Sequence, residues 1–156
     1  MQASDLLELC RAKSLKIATA ESCTGGMLGA WLTEVPGSSD VYDRGFITYS
    51  NAAKQAMIDV SPDTLLLFGA VSEEIAREMA AGALAKSDAD LTVSITGIAG
   101  PGGSEHKPEG RVCFGVAGPN GITTETVEFG AIGRENVRGK AASHALTLLA
   151  KVASDV

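Results

Sequence analysis

The amino-acid sequence predicts an α/β protein, a three-layer α/β/α sandwich around a mixed, mainly parallel sheet of about five strands. Three observations carry that expectation. Short β-prone runs alternate with helical stretches through the first two thirds of the chain, the pattern of parallel βαβ units. Two later β-prone runs are joined by Gly118-Pro119-Asn120-Gly121, a hairpin signal that adds antiparallel strands. The 156 residues, 45% of them hydrophobic, suffice for one core, whereas two independent cores would each be marginal. A single domain over residues 1–156 is expected.

Each element has a local cause. Ser4 offers an N-cap for a first helix over Asp5–Lys13, with Leu6, Leu7, Leu9 and Cys10 as its apolar stripe. Leu15–Ala20 is a short strand. Thr24-Gly25-Gly26 opens a helix through Met27, Leu28, Trp31 and Leu32, stopped by Pro36-Gly37. Arg44–Tyr49 is a second strand. Ser50-Asn51 caps a short helix over Ala52–Met57, and Ser61-Pro62 starts another that ends at Gly69. Ser72-Glu73-Glu74 begins a helix running to about Lys86, with its acids favoured by the dipole. Leu91–Thr96 is a third strand, followed by a Gly- and Pro-rich loop from Gly97 to Gly110. The hairpin strands are Arg111–Ala117 and Thr123–Phe129. A last helix over Arg134–Ser154 closes the domain.

Composition narrows the partners. Nineteen acids against thirteen bases give a net charge of −6, and the bases are scattered singly from Arg11 to Lys151. Nucleic-acid and anionic-membrane binding need clustered Lys and Arg, so neither is expected. Cys10, Cys23 and Cys113 form no CxxC pair, and His106 and His144 are the only histidines, so no metal site is expected. The N-terminal stretch lacks the charge and apolar pattern of a signal peptide, and no apolar run nears the roughly 20 residues of a bilayer span. A soluble, cytoplasmic protein in a reducing compartment is expected.

Three polar segments follow predicted strands, where open α/β sheets place their ligand crevice. In Glu21-Ser22-Cys23-Thr24-Gly25-Gly26, Ser22 and Thr24 stand before a helix whose first N–H groups suit an anion or a developing oxyanion. The same residues also fit a plain N-cap and turn. Cys23 is either a nucleophile or a small buried thiol. In the second segment, Tyr49-Ser50-Asn51 with Lys54, the lysine lies early in a helix where its cation is disfavoured. It is either a base or a solvated surface lysine. The third, Thr96-Gly97-Ile98-Ala99-Gly100-Pro101-Gly102-Gly103, has more glycine than one turn needs and lets backbone approach a ligand closely. It matches neither the Walker A nor the dinucleotide fingerprint. Arg134 and Arg138, one helical turn apart, are candidates to hold a phosphate or to form surface ion pairs.

Taken together, Ala20–Gly26, Gly45–Asn51 with Lys54, Gly69-Ala70-Val71-Ser72, and Ser94–Gly103 followed by Lys107-Pro108 and Gly110 resemble the CinA C-terminal domain family. The match runs in order from about Leu6 to Leu149. The family's characterised activity is nicotinamide-nucleotide amidohydrolase. The resemblance therefore implies hydrolysis of nicotinamide mononucleotide (NMN) to nicotinic acid mononucleotide and ammonia, with no cofactor and no metal; the alternatives are a non-catalytic nucleotide-binding or regulatory module and an amidohydrolase acting on another small amide. It also implies a homo-oligomer. The residues it marks as catalytic are Ser22 as nucleophile, Lys54 as base, Tyr49 to orient or relay the proton, and Thr96 beside the oxyanion. Those it marks for substrate are Glu21, Thr24, Gly25, Gly26, Asn51, Gly97, Gly100, Gly102, Gly103 and Arg138. Ser104-Glu105-His106 and Glu109-Gly110-Arg111 depart from the commoner family pattern.

Overall fold

A computed structural model describes all 156 residues. Five strands form one sheet: β1 (Ile17–Glu21), β2 (Tyr42–Ile47), β3 (Leu91–Gly97), β4 (Arg111–Gly118) and β5 (Gly121–Glu128), in the order β2-β1-β3-β4-β5. β1 pairs in parallel with both β2 and β3, while β4 runs antiparallel to β3 and β5. Four strands thus point one way and β4 the other. From β1 the chain crosses to β2 on one side, then passes back over β1 to β3. The ends of β1 and β3 therefore part there, as at the switch points of open α/β sheets.

Six helices cover the two faces: α1 (Ala3–Ala12), α2 (Met27–Thr33), α3 (Asn51–Ile58), α4 (Pro62–Phe68), α5 (Glu73–Ala85) and α6 (Arg134–Ser154). The period-2 alternation of β3 explains the layers. Leu91, Val93 and Ile95 join the main core, shared with residues of α1, α2 and α6. Thr92, Ser94 and Thr96 face the other way, and their hydroxyls donate to the carbonyls of Ala80, Ala76 and Ala70 at 2.7, 2.6 and 2.8 Å. Small residues let α5 sit that close; a Cβ at Gly115 would lie 2.4 Å from the Ala76 oxygen. A smaller core of Ala20, Ile58, Val60, Leu65, Ile75, Met79 and Ala83 fills the space beneath α3–α5.

The α/β/α architecture, the hairpin and the last helix stand as the sequence predicts. Ser50, Ser61 and Ser72 are each N-caps, with side chains accepting from the amides of Ala53, Thr64 and Ile75. Several boundaries differ by one to a few residues, and two elements show why. α1 begins at Ala3, capped by Gln2 in a capping box with Asp5, so Ser4 lies inside its first turn. β2 begins at Tyr42, which pairs with Ile17 and whose hydroxyl meets Thr19 Oγ1 at 2.8 Å. It ends at Ile47, leaving Tyr49 in the link to α3. No helix is long and apolar enough to cross a membrane.

Candidate active site

A cavity of about 340 Å³ opens beyond the ends of β1 and β3. Ser22 and Cys23 line it from the exit of β1; Tyr49, Asn51 and Lys54 from the link to α3 and its first turn; Thr96 to Glu105 from the end of β3 and the loop after it; and Arg134 from the start of α6. Residues from all three polar segments of the sequence converge here.

Its centre is Lys54. The serine-capped start of α3 turns this side chain inward, where it is 1% exposed and among the largest fully buried groups of the protein. Nζ lies 3.0 Å from Ser22 Oγ, 2.9 Å from the Thr48 carbonyl oxygen and 3.5 Å from that of Tyr49. A charged lysine donates to all three. A neutral amine has two N–H groups and one lone pair; the carbonyls can only accept, so the lone pair falls to the Ser22 hydroxyl. Burial holds the Lys54 amine below the usual lysine range, against opposing pulls from Cys23 and Glu105. The first pull vanishes near neutral pH, because burial pushes the Cys23 thiol up to about 12 and keeps it uncharged. The same shift denies Cys23 the thiolate a nucleophile requires. Neither histidine approaches Ser22: His144 pairs with Glu125 and packs edge-on against Phe114, and His106 lies outside the cavity lining.

The turn after β1 differs from expectation. Glu21 does not face the cavity. Its buried carboxylate accepts from Thr24 Oγ1 at 2.6 Å and from the amides of Gly26, Leu28 and Gly29 at 3.2, 3.0 and 2.9 Å, so it caps α2 from the preceding strand. Gly25 and Gly26 take positive φ values of 58° and 102°, a region costly for other residues, which reverses the chain over that carboxylate. The Gly25 amide donates to the Ser22 carbonyl and the Gly26 amide to Glu21. Thr24, Gly25 and Gly26 are absent from the cavity wall. The amides without a protein acceptor are those of Cys23 and Thr24.

The two arginines exchange places relative to the sequence reading. Arg138 grips the Cys23 and Thr24 carbonyls from outside the cavity, at 3.0 Å each. Arg134 lines the cavity, donating to the Gly100 carbonyl at 2.6 Å and to the Tyr49 hydroxyl at 3.0 Å. The α-helical repeat puts both on one side of α6, and only the tertiary fold decides which reaches the open space. Tyr49 therefore presents its backbone carbonyl, not its phenol, to Lys54. Thr96 lines the wall, but its hydroxyl proton is committed to Ala70, so it has none for an oxyanion. Gly97, Gly100, Gly102 and Gly103 lie on the wall as expected, with the Gly102 amide taken by Glu109 at 2.7 Å. The Ala99, Gly100 and Gly103 amides have no protein acceptor.

Glu105 on the cavity rim escaped the sequence reading. It and His106 are the middle residues of a tight turn closed by two bonds between Ser104 and Lys107, both at positive φ. Lys107 Nζ ties that turn to the carbonyls of Phe68 and Val71. The available signal was the glycine-rich approach to a charged triplet, which gives no direction for the side chain.

Known proteins resemble the chain in sequence and in fold. The family model described as CinA C-terminal domain matches residues 2–153. The chain is 49% identical over 138 residues to the nicotinamide-nucleotide amidohydrolase PncC of Enterobacter agglomerans, covering 87% of this chain and 84% of that protein. It is 47% identical over 149 residues to a CinA-like protein of Syntrophobacter fumaroxidans, covering 95% of this chain and 35% of that protein. The chain thus spans about a third of the length of the longer curated relatives it matches. Among solved structures, a CinA superfamily protein from Klebsiella pneumoniae 700603 superposes with a TM-score of 0.93 at 32% identity, covering 100% of both chains. A competence/damage-inducible protein from Agrobacterium tumefaciens superposes at 0.91 with 45% identity, covering 94% of this chain and 90% of that one.

Proposed function

The chain belongs to the CinA C-terminal domain family, and from that premise we propose that it is a serine amidohydrolase converting NMN to nicotinic acid mononucleotide and ammonia. The observation that carries the reading is the Lys54 amine, 3.0 Å from Ser22 Oγ with two main-chain carbonyls behind it. Neutral Lys54 takes the Ser22 proton as Oγ attacks the carboxamide carbon. The resulting ammonium still faces the Thr48 and Tyr49 carbonyls, which stabilise it better than they did the amine. The oxyanion falls to the free amide of Cys23 on the cavity wall, backed by the free amide of Thr24 just behind it. Collapse of the tetrahedral intermediate breaks the C–N bond, and Lys54 returns its proton to the departing nitrogen, releasing ammonia. Water then attacks the acyl-enzyme, giving its proton to Lys54, and the ester breaks to free the acid and restore Ser22.

The remaining contacts follow from charge. Arg134 and the open amides of the glycine loop are the positive and N–H-rich features of the wall, suited to the substrate phosphate. Tyr49 acts by holding Arg134 and not as a proton relay. Ammonia release from NMN, measured beside nicotinamide and NAD and with chelator present, tests the proposal. Release from NMN that chelator leaves unchanged is expected. Abolition by chelator with recovery on zinc would overturn the metal-free mechanism, and no release under any condition would overturn the assignment.

A further inference from the structure

We propose that Arg138 is a positioning residue for this chemistry, aiming the amides after the nucleophile by gripping the carbonyls of their own peptide units. The inference rests on the mechanism above. A peptide unit is planar and trans, so its C=O and N–H point in opposite directions. The unit joining Cys23 to Thr24 has its carbonyl held by Arg138 Nε at 3.0 Å, which drives the Thr24 N–H to the opposite side. The next unit has its carbonyl held by Arg138 Nη2 and by the Met27 amide, both at 3.0 Å, while its N–H donates to the Ser22 carbonyl at 3.0 Å. That last bond fixes the unit joining Ser22 to Cys23 and turns the Cys23 N–H out of the turn. Three successive peptide planes after the nucleophile are therefore pinned before any substrate arrives, two of them directly by one guanidinium.

The planar fork donates to the two carbonyls from separate nitrogens held in one plane, whereas a lysine offers all its donors from a single, freely rotating atom. No carboxylate forms an ion pair with Arg138, so its charge is left facing the turn and favours an oxyanion there. On the other flank Glu21 occupies the amides of Gly26, Leu28 and Gly29, leaving Cys23 and Thr24 as the donors that the turn presents.

Arg138→Ala and Arg138→Lys, assayed on NMN and on nicotinamide riboside, test the assignment. Both should lower kcat by about 10²-fold, the scale of a lost or misaligned oxyanion donor. KM should stay within about threefold, the riboside rate should fall by the same factor as the NMN rate, and the pH at which the Lys54 limb appears should not move. Guanidinium ion added to Arg138→Ala should restore part of kcat. A raised KM confined to NMN, with kcat kept, would overturn the proposal and make Arg138 a phosphate ligand. So would kcat unchanged in both variants. Should the wild-type chain leave NMN untouched, the amide resonances of Cys23 and Thr24 still decide: they should shift in Arg138→Lys, and their constancy would end the inference independently of the substrate.

Discussion

The turn leaving β1 and the loop leaving β3 meet at one cavity and both keep open amides, but they differ in how firmly the chain around those amides is held. In the first, the carbonyls of Ser22, Cys23 and Thr24 and the carboxylate of Glu21 all have partners, and the chain is held from both flanks. In the second, the Ala99, Gly100 and Gly103 amides are left open, and Arg134 touches the loop at the Gly100 carbonyl alone. Bond making needs its donors fixed to a fraction of an ångström, whereas a flexible phosphorylated group is held as well by donors on a less tightly bonded chain. The contrast predicts that changes on the β1 side act on kcat and changes on the β3 side act on KM.

The largest expected effect is that of Ser22→Ala, which should lower kcat by about 10⁴–10⁶-fold. Its hydroxyl is bonded only to Lys54, so thermal unfolding should stay near the wild type. Near-normal turnover in Ser22→Ala with loss in Cys23→Ala would move the nucleophile to the thiol and break the comparison at its root. Next comes Lys54→Arg, which keeps a cation but supplies no neutral base, and should lower kcat by about 10³-fold or more while still binding NMN. In the wild type the neutral amine is the active form, so kcat/KM should rise with pH through a value below the usual lysine range and be lost as pH falls. A Lys54→Arg enzyme with most of its kcat would refute the Ser–Lys pair.

Across the cavity, Arg134→Met should raise KM for NMN by about 10- to 100-fold, the scale of one charge-assisted contact, with kcat within a few-fold. A kcat effect larger than the KM effect there would erase the distinction between the two loops. The smallest effect is on stability. Because burial lowers the folded-state value of Lys54, the unfolded chain binds a proton that the folded chain lacks in the window from that value up to about 10.4. Stability of the wild type relative to Lys54→Met should therefore grow with pH across that window, as read by denaturant midpoints. A flat difference would mean that Lys54 is charged in the fold.

Much of the fold was legible because its signals are local. The serine caps at Ser50, Ser61 and Ser72 satisfy amides three residues away, and the Pro-Asn-Gly hairpin needs no distant partner. β2 began earlier than expected because Tyr42 is held there by Thr19 of the neighbouring strand, which no window around Tyr42 contains. The site divides likewise. Ser22, Lys54 and the glycine loop stood out as motifs in register, and all three reach the cavity. Glu21, Thr96 and Arg138 have the residue types of ligand contacts, yet their polar atoms are taken by main-chain groups brought near only by folding. Sequence shows which donors and acceptors exist, and tertiary structure shows which are already used.

The two acceptors behind Lys54 are main-chain oxygens, and this bears on how the site tolerates change over generations. Any residue standing at position 48 or 49 still offers its carbonyl, so mutation there alters side chains without subtracting an acceptor from the base. Position 49 is 61% exposed and its side chain holds Arg134 on the substrate side, so a change there alters what the mouth accepts without touching the base. Lineages can thus drift in what they accept at the cavity mouth while the proton-transfer apparatus is inherited intact.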